Sequence, residues 1–342
     1  MRVTQQDIAK IAQVSQATVS RVLAGDEKVE QALRERVVEV MQQHNYKPDV
    51  RARSLRNRKT GLIGLVINRP PGGLADDPFF AKLVAEIISY LSGTPYHLCL
   101  DMAISDKGQQ AIYDEMLRTR RVDGLILVES EARDERIGQL QADHFPFVLI
   151  GNPLASTEIV SVDNDNVLAG EMATTHLLDA GFRRVGILGG RRGITVSEDR
   201  ITGYQRAVRA RQSEHLIWHA GFGANAARAA ATGILKGESR PDALVVLDDY
   251  MAMGVVSAAR ELGLRVPKDL GIVGFNDTNI CELVDGGLSS VSLNISTLVE
   301  IACEQLMDIV ESRELRHPRR AIVPCELRVR NSSRTDVEAN HS

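Results

Sequence analysis

Val14-Ser15-Gln16-Ala17-Thr18-Val19-Ser20-Arg21-Val22 is the stretch on which the reading of the whole chain turns. It suits a short helix anchored by Val19, Val22 and Leu23, with Gln16, Ala17 and Arg21 on the side away from those anchors. Ser15 and Thr18 suit an N-cap and phosphate contacts, because the first turn of a helix has free N–H groups and a partial positive charge. Ahead of it, Thr4 to Ala12 is helix-compatible, with Ile8, Ile11 and Ala12 expected on one face. Two short helices joined at Gln13-Val14 make a helix-turn-helix, whose second helix enters the DNA major groove. There Arg21 offers a paired fork of donors to guanine and Gln16 can pair with adenine. Periodicity alone permits an ordinary helical hairpin with a solvated polar face equally well.

The wider pattern is more specific. Asp7-Ile8-Ala9, Val14-Ser15 with Thr18-Val19-Ser20-Arg21-Val22-Leu23, Asn45-Tyr46 with Pro48, and Ala52-Arg53-Ser54-Leu55 follow one another at fixed spacing. This resembles the DNA-binding head of the lactose-repressor/galactose-repressor (LacI/GalR) family, with no gap needed. The resemblance implies a homodimer on palindromic double-stranded operator DNA and a sensor domain behind the head. The candidate DNA-contacting residues are Thr4, Gln5, Ser15, Gln16, Ala17, Thr18, Ser20, Arg21, Arg51, Ala52, Arg53 and Leu55.

A third helix is expected at about Glu30 to His44, with Leu33, Val37, Val40 and Met41 packing under the other two. The family usually caps it with Ser or Thr; Glu30 stands near that point and should cap poorly. Asp49 to Asn57 then reads as a hinge helix of nine residues, too short to be stable alone, with three arginines that repel until phosphate neutralises them. It is expected to be helical only on DNA. By resemblance, Leu55 and its dimer mate wedge into the central minor groove, with Ala52 allowing close approach.

Residues 1–60 carry 12 Lys/Arg against 7 Asp/Glu, or +5, and the remainder 29 against 38, or -9, which together give the net -4. A basic head on an acidic body suits a nucleic-acid reader joined to a domain that avoids nucleic acid. The start lacks the pattern of an export signal and no apolar run reaches 18 residues, so a cytoplasmic, non-membrane protein is expected, nucleoid-associated when bound to operator. Cys99, Cys281, Cys303 and Cys325 are far apart and show no metal-binding spacing; reduced, largely buried thiols are expected, with no metal and no cofactor.

From Gly61 the pattern changes to short Val/Ile/Leu runs alternating with amphipathic helices. The runs are Leu62–Ile67, Leu98–Met102, Leu125–Val128, Phe147–Ile150, Val185–Leu188, Ala243–Leu247 and Gly271–Phe275. The helices are Phe79–Leu91, Gln109–Arg120, Leu168–Ala180, Ile201–Ala210 and Met251–Leu262. Repeated units of this kind imply parallel sheets with helices on both faces, and more than 260 residues favour two sheets over one. Val162-Asp163-Asn164, Arg200 with Gly203-Tyr204, and Val266-Pro267 with Asp269-Leu270 again match the family.

The fold class is therefore an all-α helix-turn-helix head plus an α/β, two-lobed sensor resembling the periplasmic sugar-binding proteins. The expected domains are a head at 1–48, a hinge at 49–60, a sensor and dimerisation domain at 61–331 and a flexible tail at 332–342. Crossings are expected near Val160, Ser290 and Pro318, so that lobe 61–160 takes in 291–318 and lobe 161–290 takes in 319–331.

Ligands of such folds sit between the lobes, at the carboxyl ends of the strands. That rule selects Phe79 and Phe80, then Val196 and Arg200, then Phe222, Asp248 and Asn276 as candidate effector-binding residues. Arg200 and Asp248 suit sugar hydroxyls, and an aromatic ring suits a sugar's C–H face. Arg200 could instead pair with Glu198 or Asp199 on the surface. One of the two phenylalanines is expected in the core, and Asp163 with Asn164 is expected to shape a turn. The family usually has Asp where Asn276 stands. The expected effector is a neutral sugar or its phosphate, with a purine corepressor as the alternative.

An enzyme is not expected. No Gly-x-Gly-x-x-Gly follows the first strand, no phosphate-binding Lys-Ser/Thr loop occurs, and Gly189-Gly190-Arg191-Arg192-Gly193 has the wrong spacing. A sugar-binding protein without operator binding is the other rival class. After Val329 no apolar heptad follows, so a dimer rather than a tetramer is expected.

Overall fold

The computed structural model describes residues 3–23, 26, 28–44, 46, 59–68, 77–128, 131, 134–152 and 158–334. The chain divides into two compact units, 1–60 and 61–342. The hinge residues Arg51, Ala52, Arg53 and Leu55 lie outside the described residues.

In the first unit, α1 (Gln5–Ile11) begins in a capping box. Asp7 N donates to Thr4 Oγ1 at 3.3 Å, and Thr4 N donates back to the Asp7 carboxylate at 3.0 Å. Donation from the Thr4 hydroxyl, and then from Thr4 N, holds the Asp7 carboxyl below its usual range. The chain turns at Gln13, in the left-handed region at φ 53°, and enters α2 (Gln16–Leu23). Ser15 Oγ accepts from Thr18 N at 3.0 Å, which is the cap the sequence called for. α3 (Gln31–Gln43) starts at Glu30 without a side-chain cap, as its longer stem suggested.

Ile8, Ala9, Ala12, Val19, Val22, Val37 and Val40 form the core of this unit. Met41 packs against them and Leu33 is half-buried. Ile11 departs from expectation, being 46% exposed. With 3.6 residues per turn, the inward face of α1 centres between positions 8, 9 and 12, and Ile11 falls about 100° away from it.

The second unit contains two six-stranded sheets. The first has the order β11-β5-β4-β3-β1-β2, built from β1 (Leu62–Asn68), β2 (His97–Ala103), β3 (Gly124–Val128), β4 (Phe147–Ile150), β5 (Ser161–Asn164) and β11 (Arg320–Val323). All its pairings are parallel. The second has the order β12-β10-β9-β8-β6-β7, built from β6 (Val185–Gly189), β7 (Leu216–His219), β8 (Ala243–Val246), β9 (Gly271–Phe275), β10 (Ser289–Ser292) and β12 (Glu326–Arg328). There only the β10–β12 pair is antiparallel. The helices are α4 (Pro78–Leu91), α5 (Asp106–Thr119), α6 (Glu135–Ala142), α7 (Asn166–Asp179), α8 (Thr195–Ala210), α9 (Ala224–Lys236), α10 (Asp249–Glu261) and α11 (Ile295–Val310).

The crossings lie later than expected. Ser161–Asn164 belongs to the first sheet, paired with β4 and β11, so the chain leaves it after Asn164 rather than near Val160. The return follows Ser292, and the last crossing falls between Val323 and Glu326 rather than near Pro318. The short polar strands β5 and β10 carry no apolar run to mark them. Backbone bonds and buried polar side chains, rather than apolar packing, give them their place. One buried amide ties all three crossings: Asn164 Nδ2 donates to Leu293 O at 3.0 Å and to Val323 O at 2.9 Å.

The expected tail from 332 is also corrected at its start. Ser332 and Ser333 are fully buried, in a short turn at Asn331–Ser333. Ser332 Oγ donates to Ile272 O at 2.7 Å, and Ser333 Oγ lies 2.7 Å from His176 Nε2. Small hydroxyls satisfied by backbone and imidazole seat well in an interior that would reject an unpaired polar group.

Two glycine contacts fix α7 against α8. A Cβ on Gly170 would lie 2.1 Å from Arg200 O, and one on Gly203 would lie 1.9 Å from Val167 O. The two backbones therefore touch, which brings Arg200 beside Asn166.

Candidate functional site

On the head, Ser15 just ahead of α2 and Gln16, Ala17 and Arg21 on it are exposed, opposite Val19 and Val22. Thr18 and Ser20 are half-buried, and Thr18 Oγ1 lies 2.9 Å from Ser15 Oγ. The Arg21 side chain is 65% exposed, with its Nε 4.0 Å from Asp26. Such an ion pair is too weak to hold the guanidinium away from another partner. Thr4 Oγ1 is engaged with Asp7 at 2.6 Å, and Gln5 opens α1 half-buried. The described candidates for DNA contact therefore divide into a largely exposed face at Ser15 to Arg21 and two residues at the start of α1.

In the second unit, the carboxyl ends of strands from both sheets converge on one pocket. Its wall includes Asp77, Phe79, Asp163, Asn166, Val196, Arg200, Phe222, Asp248 and Asn276, with Ile150, Leu247, Leu293 and Leu298 as apolar floor. Six of the seven candidate effector residues meet there. Phe80 does not. It is 2% exposed in the core of the first sheet and touches Phe79 edge-on, ring centres 5.3 Å apart. Successive helical residues point about 100° apart, so α4 can send only one of the two rings into the pocket.

Arg200 is 4% exposed and does not form the surface pair with Glu198 or Asp199 that its neighbours allowed. Its Nε donates to Asn166 Oδ1 at 3.0 Å, its Nη1 to Leu247 O at 2.7 Å, and its guanidinium lies 4.3 Å over the Phe275 ring. Burial lowers its pKa to about 10, so it stays charged at neutral pH. Asp248 caps α10, its Oδ1 accepting from Met251 N at 2.6 Å, and burial pushes the carboxyl up to about 7. Asp163 Oδ1 accepts from Asn164 N at 2.8 Å and Asn166 Nδ2 at 3.0 Å; burial raises this carboxyl to about 7 as well. Asn276 sits at φ 97°, a backbone conformation that asparagine tolerates better than most side chains.

These bonds leave a residue of unspent polarity. Among the described residues, Arg200 Nη2, the Oδ2 atoms of Asp163 and Asp248, and the Asn276 side-chain amide make no hydrogen bond. All four groups line the same pocket. Among the described residues the buried side-chain atoms left without a partner lie elsewhere, so these four groups face the open space of the pocket, where a ligand can meet them. A ligand rich in hydroxyls supplies donors for the carboxylates and acceptors for the guanidinium, with Phe79 and Phe222 as apolar surface.

Sequence reasoning missed Asp163 and Asn166 as pocket residues. The carboxyl-end rule applied to β5 would have found them, but β5 has only four residues, three of them polar. Among the described residues no group of His, Cys, Asp or Glu could hold a metal ion, and no helix is long and apolar enough to cross a membrane.

Comparison with known proteins fits both units. Residues 4–49 match the model of bacterial regulatory proteins of the lacI family, and residues 174–333 match a periplasmic binding protein-like domain. The ribose operon repressor of Haemophilus influenzae is 30% identical over 312 residues, 90% of this chain and 92% of that protein. A solved complex of the transcriptional regulator CelR with cellobiose has a TM-score of 0.74 at 27% identity, covering 97% of this chain and all of that one. The lac repressor dimer bound to operator has a TM-score of 0.86 at 23% identity, over 98% of this chain and all of that one, a likeness of fold. With its helix-turn-helix head and two-sheet sensor, the chain belongs to the lacI family of bacterial regulatory proteins, DNA-binding transcription regulators rather than enzymes.

Proposed function

We propose that this regulator is a repressor that binds a palindromic operator as a homodimer and is released by a neutral, sugar-like effector held between its lobes. The observation that carries the effector reading is the set of unspent polar atoms on Arg200, Asp163, Asp248 and Asn276 around one pocket. Asp77, Asp163 and Asp248 outnumber Arg200 there, which disfavours a phosphate and favours hydroxyls. Relatives named for ribose and crystallised with cellobiose lean the same way.

On DNA, Arg21 and Gln16 read base edges while Ser15, Thr18 and Ser20 contact phosphate or sugar. Thr4 and Gln5 add backbone contacts. Arg51, Ala52, Arg53 and Leu55 form the hinge, with Leu55 as the minor-groove wedge. One head makes few base contacts, so specific affinity requires two at fixed spacing, supplied by dimerisation of the sensor. Effector closing the cleft changes the separation of the two hinges, and the necessary coupling is about 1–3 kcal/mol. Binding an operator also implies work in the compartment that holds the chromosome.

The test selects operator fragments from genomic DNA with the purified full chain, then repeats the binding with sugars added. Recovery of a two-fold repeat that sugars release supports the reading. Failure of the folded protein to select any duplex defeats the operator half. Selection unaffected by sugars but strengthened by purines replaces induction with corepression.

A further inference from the structure

The pocket between the sheets is small. It has about 80 Å³ open to the centre of a water molecule. That is room for roughly half a dozen waters, on the order of 200 Å³ of liquid, about one pyranose ring with its hydroxyls. A second, larger cavity adjoins it, with about 510 Å³ by the same measure. Val128 and Phe222 line both, so the two spaces meet at those side chains.

The outer cavity is also made by both lobes. The first turns of α5 and α6 and the end of β1 come from one lobe; Arg191, Ile194 and Phe222 come from the other. Arg191 crosses between them, with Nη1 3.4 Å from the Asp106 carboxylate and Nη2 2.5 Å from Glu131. Glu131 and Ile194 add a backbone bridge.

The charges of this wall nearly balance: Lys107, Arg136 and Arg191 against Asp106, Glu131, Asp134 and Glu135. Several already neutralise one another, Arg136 with Asp134 at 2.5 Å and Arg191 with the two acids above. The cavity therefore has one carboxylate in excess, which repels a phosphate and is too little to hold a polyamine. Gln109, half-buried in the same wall, has an amide that makes no hydrogen bond among the described residues. Mixed donors and acceptors of nearly balanced charge suit hydroxyls, as does the inner pocket.

We infer that the effector is a neutral oligosaccharide of at least two rings: the terminal ring sits among Arg200, Asp163 and Asp248, and the next ring occupies the outer cavity beside Gln109 and Arg191. This rests on the reading of the sensor as a sugar-binding domain. Phe222, on the wall of both spaces, marks the linkage, and the length of the effector is selected outside the pocket that recognises its end.

The test is calorimetric titration of the full-length protein with glucose, galactose, mannose and xylose, their α- and β-linked disaccharides, the 6-phosphates of the three hexoses, and adenine and guanine. It is repeated with Gln109→Trp, which fills the outer cavity and touches nothing in the inner pocket. The expected result is a disaccharide bound at least tenfold more tightly than its monosaccharide, with Gln109→Trp removing that advantage and leaving monosaccharide affinity unchanged. A monosaccharide bound as tightly as every disaccharide, or a disaccharide indifferent to Gln109→Trp, overturns the two-ring inference and leaves the sugar reading standing. Tightest binding by a sugar phosphate overturns the neutral class. Binding of a purine with no saccharide bound at any length overturns the sugar reading itself. Equal thermal stability of Gln109→Trp and the parent, measured without ligand, shows that any loss is local.

Discussion

The exposed face of α2 and the pocket between the sheets, the two proposed recognition surfaces, are built in opposite ways. On α2, Gln16, Ala17 and Arg21 project from a helix whose core residues, Val19 and Val22, point the other way. There the side chains proposed for recognition and those that fold the head are different. In the pocket, Arg200 holds Asn166 and Leu247, Asp248 caps a helix, and Asp163 braces a crossing; the same groups are proposed to hold the effector. Head residues are therefore free to change with the operator, whereas pocket residues change only at some cost to the fold.

Substitutions can break that distinction. The largest effect is expected from Gly203→Leu, whose Cβ would meet Val167 O at 1.9 Å and force α7 away from α8. A loss of about 3–5 kcal/mol of sensor stability is expected, since overpacked backbone contacts lie in the extreme tail of mutational effects. Urea unfolding measures it. A loss below about 1 kcal/mol would mean that the helices slide apart freely and do not fix Arg200.

Next comes Arg200→Ala. It leaves Leu247 O and Asn166 Oδ1 without their donor, at about 1–3 kcal/mol of stability, and it should abolish the effector response while operator binding persists. Retained release by effector would remove Arg200 from the binding set. Arg21→Ala is the contrast case: operator affinity should fall by about 1–3 kcal/mol, with thermal stability changed by no more than about 0.5 kcal/mol. An equal loss on operator and random DNA would show that Arg21 touches phosphate rather than a base.

The smallest effect concerns pH. Burial raises the Asp163 and Asp248 carboxyls from 3.8 to about 7, so the fold prefers them protonated. Between pH about 4 and 7 the unfolded chain sheds protons that the empty pocket keeps, and stability falls across that window. Hydroxyls donating to the two carboxylates favour the ionised form. Effector affinity should then rise several-fold from pH about 6 to 8, with protons released on binding. Titration in buffers of different ionisation enthalpy detects the release. Affinity falling over the same range would mean that the carboxyls act as donors.

Much of this contrast could be read from the residues alone, and the parts that could not share a cause. The head emerged because capping residues, apolar spacing and a long run of family phrases agree over Thr4 to Leu23. The parallel strands emerged because both their faces are buried, so they read as apolar runs. What escaped was held by backbone or by burial all round. Ser161–Asn164 and Ser289–Ser292 are strands with little apolar signature. Ile295–Val310 buries ten of its sixteen residues, Gln305 and Asp308 among them, and only a narrow exposed stripe at Ser296 and Glu300 marks it as a helix. Arg200, Asp248 and Asn276 were found by the carboxyl-end rule. The shift of Asp163 from turn residue to pocket wall depends on partners far away in sequence, and the placing of Phe80 in the core on the rotation of one helix.

The threading of the chain through both lobes, bound together at Asn164, sets what can be exchanged between relatives. Residues 1–60 form a contiguous stretch and a compact unit, so a head can be grafted onto another sensor by a single splice. Neither lobe offers that option, since each is assembled from two separated segments. New operators can be acquired by swapping a cassette; new effectors must come from changes made one side chain at a time.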